Sequence, residues 1–317
     1  MQFLQLSEEL RYLARKQQLN QKLEDISKRA GYMMIEPPFF EDYDQFITMN
    51  PRIKKENTVK LINTHGQILL LRPDLTTSII KHVLPKWNVE ELKLSYLSTT
   101  FAKGKDGHIE EKKQFGIEYL GTSGKDVDKD VITLAASIFE TYKLPYLIEI
   151  NHSRFLETVI TRLSLTKEET SELKTYIYYK NQASLHAFLA KKPQSVERKV
   201  LDRLLTLQGT IKDIDQRLST LPLDDDLKAP LNELNALIEE IEKTYPKLRI
   251  TIDLGLLSDY DYYDGIIFMA FLKDTPFPLL KGGRYDSLTK ELGKEVPAIG
   301  FSLNTTELLK EILRDEK

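Results

Sequence analysis

The sequence predicts an α+β fold in which two β-rich parts flank a helical insert, and three observations carry that expectation. Short runs of β-branched and aromatic residues bounded by turn residues occupy the first half of the chain and return after about residue 248. Between about residues 153 and 245 the texture changes: this stretch holds one glycine, Gly209, and many Leu, Lys and Glu at helical spacing. No repeat array or low-complexity tract interrupts the pattern, so the β-rich parts are expected to form one antiparallel sheet flanked by helices.

Each element has a local cause. Leu19, Leu23, Ile26 and Ala30 recur at helical spacing, and Gly31 follows as a C-cap. Tyr32 to Ile35 reads as a short strand closed by Glu36-Pro37-Pro38, where helix is forbidden. Val59 to Ile62 and Ile68 to Leu71 flank Asn63-Thr64-His65-Gly66-Gln67, a hairpin signal. A longer antiparallel pair is expected from Leu92 to Phe101 and Glu111 to Leu120, joined through Lys103-Gly104-Lys105-Asp106-Gly107. Val127 to Tyr142 reads as helix and Pro145 to Ile150 as strand. Within the insert, Thr166-Lys167-Glu168-Glu169 is a capping box, and Asp224-Asp225-Asp226 reads as a solvated turn before another helix. Strands are expected at Leu248 to Leu254, Gly265 to Leu272 and Ala298 to Leu303, with helices at Asp286 to Leu292 and Thr305 to Leu313.

Composition narrows the function. Among 317 residues, 45 Lys+Arg oppose 48 Asp+Glu, a net charge of −3, which gives no overall pull toward nucleic acid or an anionic membrane. Cysteine is absent, which removes disulfides, thiolate metal sites and cysteine nucleophiles. No apolar stretch approaches a membrane span, and Met1 to Glu9 is too polar for a signal peptide, so a soluble cytoplasmic protein is expected. The five histidines are scattered without metal-ligand spacing, and neither a phosphate-binding Gly-x-x-x-x-Gly-Lys-Ser/Thr loop nor a Gly-x-Ser-x-Gly elbow occurs. Neither a metal nor a cofactor is expected.

Four segments stand out together: Leu71-Arg72-Pro73-Asp74-Leu75-Thr76-Thr77, Lys113 to Gly121, Asp261-Tyr262-Tyr263-Asp264-Gly265 to Phe268, and Gly282-Gly283-Arg284-Tyr285-Asp286-Ser287-Leu288. Each alone has a plain reading, as a helix cap, an alternating strand, an aromatic strand and a glycine turn. Gln114 and Glu118, four apart on a predicted strand, share one face. In order and spacing the four resemble the catalytic domain of histidyl-tRNA synthetase, a class II aminoacyl-tRNA synthetase fold. Gly31 to Phe46 resembles its dimer-forming motif 1, Arg72 to Gly121 motif 2, Gly282 to Leu308 motif 3, and Asp261-Tyr262-Tyr263 the histidine signature.

The resemblance implies a histidine pocket in which Asp74, Thr76 and Gln114 hold an α-amino group and Glu118, Tyr263 and Tyr285 surround an imidazole, with Tyr262 also among the histidine-binding residues. It also exposes losses on the ATP side. Phe101 is followed by Ala102 where motif 2 carries arginine, Ser258 stands where the signature begins with arginine, and the closing Gly-Leu-Glu-Arg of motif 3 has become Asn304-Thr305-Thr306-Glu307. Each lost donor removes about 2.7–4 kcal/mol of transition-state stabilisation, and Glu307 adds a negative charge beside a polyphosphate. Arg72 and Arg284 remain, too few to hold the phosphates.

Too few residues follow Glu307 for an anticodon-binding domain, so none is expected and 1–317 reads as one synthetase-like domain. A synthetase-like domain with these losses resembles the regulatory subunits of ATP phosphoribosyltransferase, the first enzyme of histidine biosynthesis. That family implies a non-catalytic chain in a hetero-octamer with a short catalytic subunit, L-histidine as feedback effector, homodimers through motif 1, and no tRNA. Two other readings stay open: a truncated enzyme that still activates histidine, and a module that senses tRNA or histidine.

Overall fold

The structure, a computed structural model, describes residues 6–49, 53, 55–104, 106–258, 262–273 and 275–315. Lys105 of the expected hairpin loop and Asp261 of the histidine signature lie outside the described residues, as do Met1 to Gln5. In chain order the first half contains α1 (Leu6–Arg29), β1 (Met33–Met34), β2 (Phe40–Asp42), α2 (Tyr43–Met49), β3 (Lys60–Ile62), β4 (Ile68–Leu71), α3 (Leu75–Val83), β5 (Leu92–Lys103), β6 (Ile109–Leu120) and α4 (Lys125–Thr141). The middle holds β7 (Tyr146–His152), α5 (Ser153–Arg162), α6 (Lys167–Tyr178), α7 (Gln182–Leu189), α8 (Val196–Arg203), β8 (Gln208–Gly209), α9 (Ile211–Leu218) and α10 (Asp225–Thr244). The remainder is β9 (Ile250–Asp253), β10 (Ile266–Leu272), β11 (Leu280–Arg284), α11 (Asp286–Glu291), β12 (Ala298–Asn304) and α12 (Thr305–Asp315).

The chain divides into two compact units. The first comprises Met1–Thr122, Ser137–Leu144 and Asp286–Lys317. Its strands pair in the order β1-β5-β6-β12, β1 parallel to β5 and the others antiparallel. β5 and β6 form one long hairpin, in register from Leu92 opposite Leu120 to Lys103 opposite Ile109. A smaller antiparallel sheet, β2-β4-β3, sits in the same unit. Its turn follows from Asn63, whose Oδ1 accepts from the His65 and Gln67 amides at 2.9 and 3.0 Å, while Gly66 takes φ +77°. Leu75 and Ile79 of α3 pack on Leu94 and Tyr96 of β5, which fixes the start of α3 against the sheet.

The second unit comprises Ser123–Ala136 and Pro145–Tyr285. Its strands run β11-β10-β7-β9-β8, antiparallel except for β7 with β9. From Ser153 to Thr244 the regular elements are α-helices apart from a 3-10 turn and the two-residue β8, joined by short loops. Each helix from α6 to α10 begins on a side-chain cap: Thr166, Asn181, Ser195, Thr210 and Asp224 each accept from an amide of the first turn. Such local signals end and restart helices without any tertiary instruction. Asp224 to Asp226 is a helix start rather than a solvated turn, and Arg162 of α5 ties Asp224 and Asp226 at 2.7 Å each.

The Gly282-Gly283 pair, which suggests a turn from sequence, lies inside β11. The cause is packing: a Cβ on Gly283 would stand 2.6 Å from both the Ile266 carbonyl oxygen and Cδ1 of Tyr263. Only glycine lets the ring of Tyr263 lie against the strand there.

Candidate functional site

On the first unit, α3 begins at a built cap. Asp74 is extended at φ −145° and accepts from the Thr77 amide at 2.7 Å, and its carbonyl accepts from Ser78 Oγ at 2.9 Å. Burial raises the Asp74 carboxyl above the usual range, and the hydrogen bonds from Thr77 and Thr76 oppose that shift. The cap aims Thr76 at β6, where its Oγ1 donates to Glu118 Oε1 at 2.7 Å. Glu118 is only 1% exposed, and its other oxygen faces Gly300 of β12, where a Cβ would collide with it. Gln114 lies four residues earlier on β6, half-buried, opposite Ser98 on one side and Asn304 on the other. The structure thus joins Thr76 to Glu118 directly and places Asp74 at the head of the same helix turn. Gln114 shares a strand and face with Glu118, two positions removed along that face.

On the second unit, Tyr262, Tyr263 and Tyr285 form a buried aromatic group. Tyr262 stands edge-on to both others, with centroids 4.9 Å from Tyr263 and 5.9 Å from Tyr285. Beside Tyr263 a shallow cleft opens, lined by Asn151, Ser153, Lys174 and Ser258 among polar residues and by Leu156 and Ile267 among apolar ones. Asn151 holds the cleft's back wall in place: its Nδ2 donates to the Leu254 and Leu256 carbonyls at 3.2 Å each.

The retained arginines are both engaged in structure. Arg72 is fully buried; its Nε donates to the Thr99 carbonyl at 2.7 Å, its Nη1 to the Pro37 and Pro38 carbonyls, and its Nη2 to Ser98 Oγ. The guanidinium also covers the Phe39 ring at 4.4 Å. Burial pulls its pKa below the usual arginine value, opposed by Glu36 and Glu41. Arg284 pairs with Asp128 of α4, both largely buried. Of the altered positions, Ala102 sits on β5 opposite Glu110, and Ser258 lines the cleft. Glu307 opens α12, where its amide and that of Thr306 donate to Asn304 Oδ1 at 3.1 Å, while its carboxylate takes Lys310 at 2.7 Å. Asn304 therefore caps the start of α12. Among the described residues, no group of three or more His, Asp or Glu could hold a metal ion.

Sequence reasoning missed Gly300, Asp128, Ser153 and Lys174. A lone glycine within the apolar run of β12 does signal close approach. The other three carry no motif and are brought to their places only by tertiary packing.

These features define a class II aminoacyl-tRNA synthetase-like fold of the histidyl-tRNA synthetase type: a mostly antiparallel sheet flanked by helices, with a capped helix opposite a glutamate strand. The histidyl-tRNA synthetase family model matches residues 9–308. Two solved structures share the fold. One, from Bacillus halodurans, is described as an ATP phosphoribosyltransferase regulatory subunit/histidyl-tRNA synthetase, with a TM-score of 0.84 and 24% identity over 95% of this chain and 79% of that one. The other, a histidine–tRNA ligase subunit from Alicyclobacillus acidocaldarius, gives 0.82 at 20% identity, over 100% of this chain and 97% of that one. Among curated relatives, the ATP phosphoribosyltransferase regulatory subunit of Clostridium novyi (strain NT) is 32% identical over 92% of this chain and 71% of its own length. That of Alkaliphilus metalliredigens (strain QYMF) is 31% identical over 89% and 73%. The chain belongs to the family of ATP phosphoribosyltransferase regulatory subunits, relatives of the histidyl-tRNA synthetase catalytic domain. Among the described residues no helix is long and apolar enough to cross a membrane.

Proposed function

We propose that this chain is a non-catalytic regulatory subunit that acts in the cytoplasm by assembling with a short ATP phosphoribosyltransferase catalytic chain into a hetero-octamer. In this reading the catalytic chain is inactive alone, and L-histidine bound to the regulatory chain inhibits the complex. The observation that carries the loss of adenylation is the fate of the arginines. Arg72 is committed to main-chain carbonyls and Arg284 to Asp128, so neither guanidinium is placed to serve a polyphosphate. With Ala102, Ser258 and Glu307 at the altered positions, no preorganised cation from the family's motifs is left for that charge. The histidine contacts follow the resemblance alone: Asp74, Thr76, Gln114, Glu118, Tyr262, Tyr263 and Tyr285. Feedback is then a coupling free energy between this chain's histidine and the partner's active site, typically about 1–3 kcal/mol.

The test is reconstitution. The short catalytic chain is assayed for ATP phosphoribosyltransferase activity with and without this chain, and with increasing L-histidine. Activity that appears only in the mixture and falls with histidine is expected, beside an absence of histidine-dependent ATP–pyrophosphate exchange by this chain. Robust exchange would restore the reading as a histidine-activating enzyme, and a catalytic chain indifferent to this one would overturn the assembly.

A further inference from the structure

We propose that Asp128 of α4 is a positioning residue for the aromatic group of Tyr262, Tyr263 and Tyr285, acting through Arg284. In taking the three rings as contacts of histidine, this role rests on the reading above. Gly283 and Arg284, adjacent on β11, face opposite sides of the sheet. On one side the ring of Tyr263 lies against Gly283, where a Cβ would stand 2.6 Å from its Cδ1. On the other, the stem of Arg284 lies across Gly265: a Cβ there would stand 3.1 Å from both Cβ and Cδ of the arginine. The Arg284 carbonyl also accepts from the Asp264 amide at 3.0 Å. One residue thus holds the segment that follows Tyr262 and Tyr263 by its backbone and by its side chain. Tyr285 is the next residue along the chain, and its ring meets Tyr262 edge-on.

The far end of Arg284 is fixed by Asp128. Arg284 Nη2 donates to Asp128 Oδ1, and each side chain is 11% exposed. Asp128 has a firm base, because Val131, Ile132 and Ala135, further along α4, are fully buried. A pair so far out of water adds little net stability over apolar residues of similar volume, since desolvation offsets the attraction. What it adds is direction. A long arginine stem has several staggered rotamers, and the carboxylate selects the one that lies across Gly265. Asp128 therefore sets the place of the tyrosines without touching the ligand.

The experiment reads the rings directly. The full chain is labelled with 3-fluorotyrosine, and the fluorine resonances of Tyr262, Tyr263 and Tyr285 are assigned by replacing each in turn with phenylalanine. Asp128→Leu combined with Arg284→Met removes both charges together and leaves neither ion unpaired in the interior. This double variant is expected to displace the three resonances while those of the other tyrosines hold. In calorimetric titration it should bind L-histidine roughly 10- to 100-fold more weakly, the scale on which loss of a supporting residue is felt. Asp128→Glu keeps the charges and lengthens the link by one methylene; it should move the same three resonances, and it carries the test if the double variant does not fold. A loss of stability alone leaves the resonances of the folded chain where they are. Three unmoved resonances in the folded variants therefore overturn the positioning role. Displaced rings beside an unaltered histidine affinity, or in a chain that binds no histidine at all, keep the positioning role and remove the rings from the histidine reading.

Discussion

Glu118 is the carboxylate on which the proposed histidine contact is most directly tested. It is buried, one oxygen accepts from Thr76 Oγ1 at 2.7 Å, and the other occupies the space that a Cβ on Gly300 would fill. A buried carboxylate accepts from several donors, so an imidazole N–H can be added to the threonine hydroxyl. Glu118→Ala is therefore expected to raise the histidine needed to inhibit the reconstituted complex roughly 10- to 150-fold, at about 1.4 kcal/mol per factor of ten. Activation of the catalytic chain should persist, and Glu118→Gln, which keeps the volume and an acceptor for Thr76, serves as the folding control. An unchanged inhibition curve would place the effector elsewhere, and loss of assembly in both variants would make Glu118 structural. The shared face of Gln114 and Glu118 was legible from the two-residue period of a strand. The bond from Thr76, 42 residues away in sequence, was not, because nothing local encodes it.

At the scale of elements, the junction of β7 and α5 carries a buried histidine with a pH consequence. His152 is 2% exposed; its Nε2 lies 3.1 Å from Glu233 Oε2 and 3.3 Å from Arg154 Nη2, while its Nδ1 is buried without a partner. Burial, reinforced by the Arg154 charge and opposed by Glu233, pushes its pKa down from 6.5 to about 4. The folded state therefore holds His152 neutral where the unfolded chain would take a proton. Its contribution is fully present above pH 6.5 and is lost as pH falls toward 4. Between pH 7 and pH 5 the loss comes to about 2 kcal/mol. Urea unfolding at both values should show that loss in the native chain and a shallower one in His152→Gln; identical slopes would show that other groups set the acid sensitivity. Elements were unevenly legible. Capping boxes such as Thr166 with Glu169 announce themselves within four residues, and the structure forms that one. β2 and β8 are three and two residues long, too short for any period, and β11 was hidden by glycines that packing against Tyr263 requires.

At the scale of the molecule, the first unit leaves several large apolar side chains exposed. Met33 and Met34 on β1, which ends the strand order of its sheet, are 61% and 46% exposed, and Phe40 on β2 is 53% exposed. An uncovered edge strand with apolar side chains is an association site unless something blunts it. The motif 1 resemblance names a second copy of the chain as the cover, through one patch that serves both protomers. Arg72 prepares that patch: by donating to the Pro37 and Pro38 carbonyls and to Thr99, it locks the segment that carries Phe39 and Phe40 onto β5. Sedimentation at micromolar concentration is therefore expected to show a dimer. Phe40→Glu places a charge in the patch and should weaken dimerisation at least about 30-fold, the scale of an interface hot spot. Arg72→Met should weaken it as well, but together with the stability of the fold, because it leaves buried carbonyls without donors at about 1–3 kcal/mol each. A folded wild-type monomer, or a dimer indifferent to Phe40→Glu, would assign this surface to the catalytic partner instead.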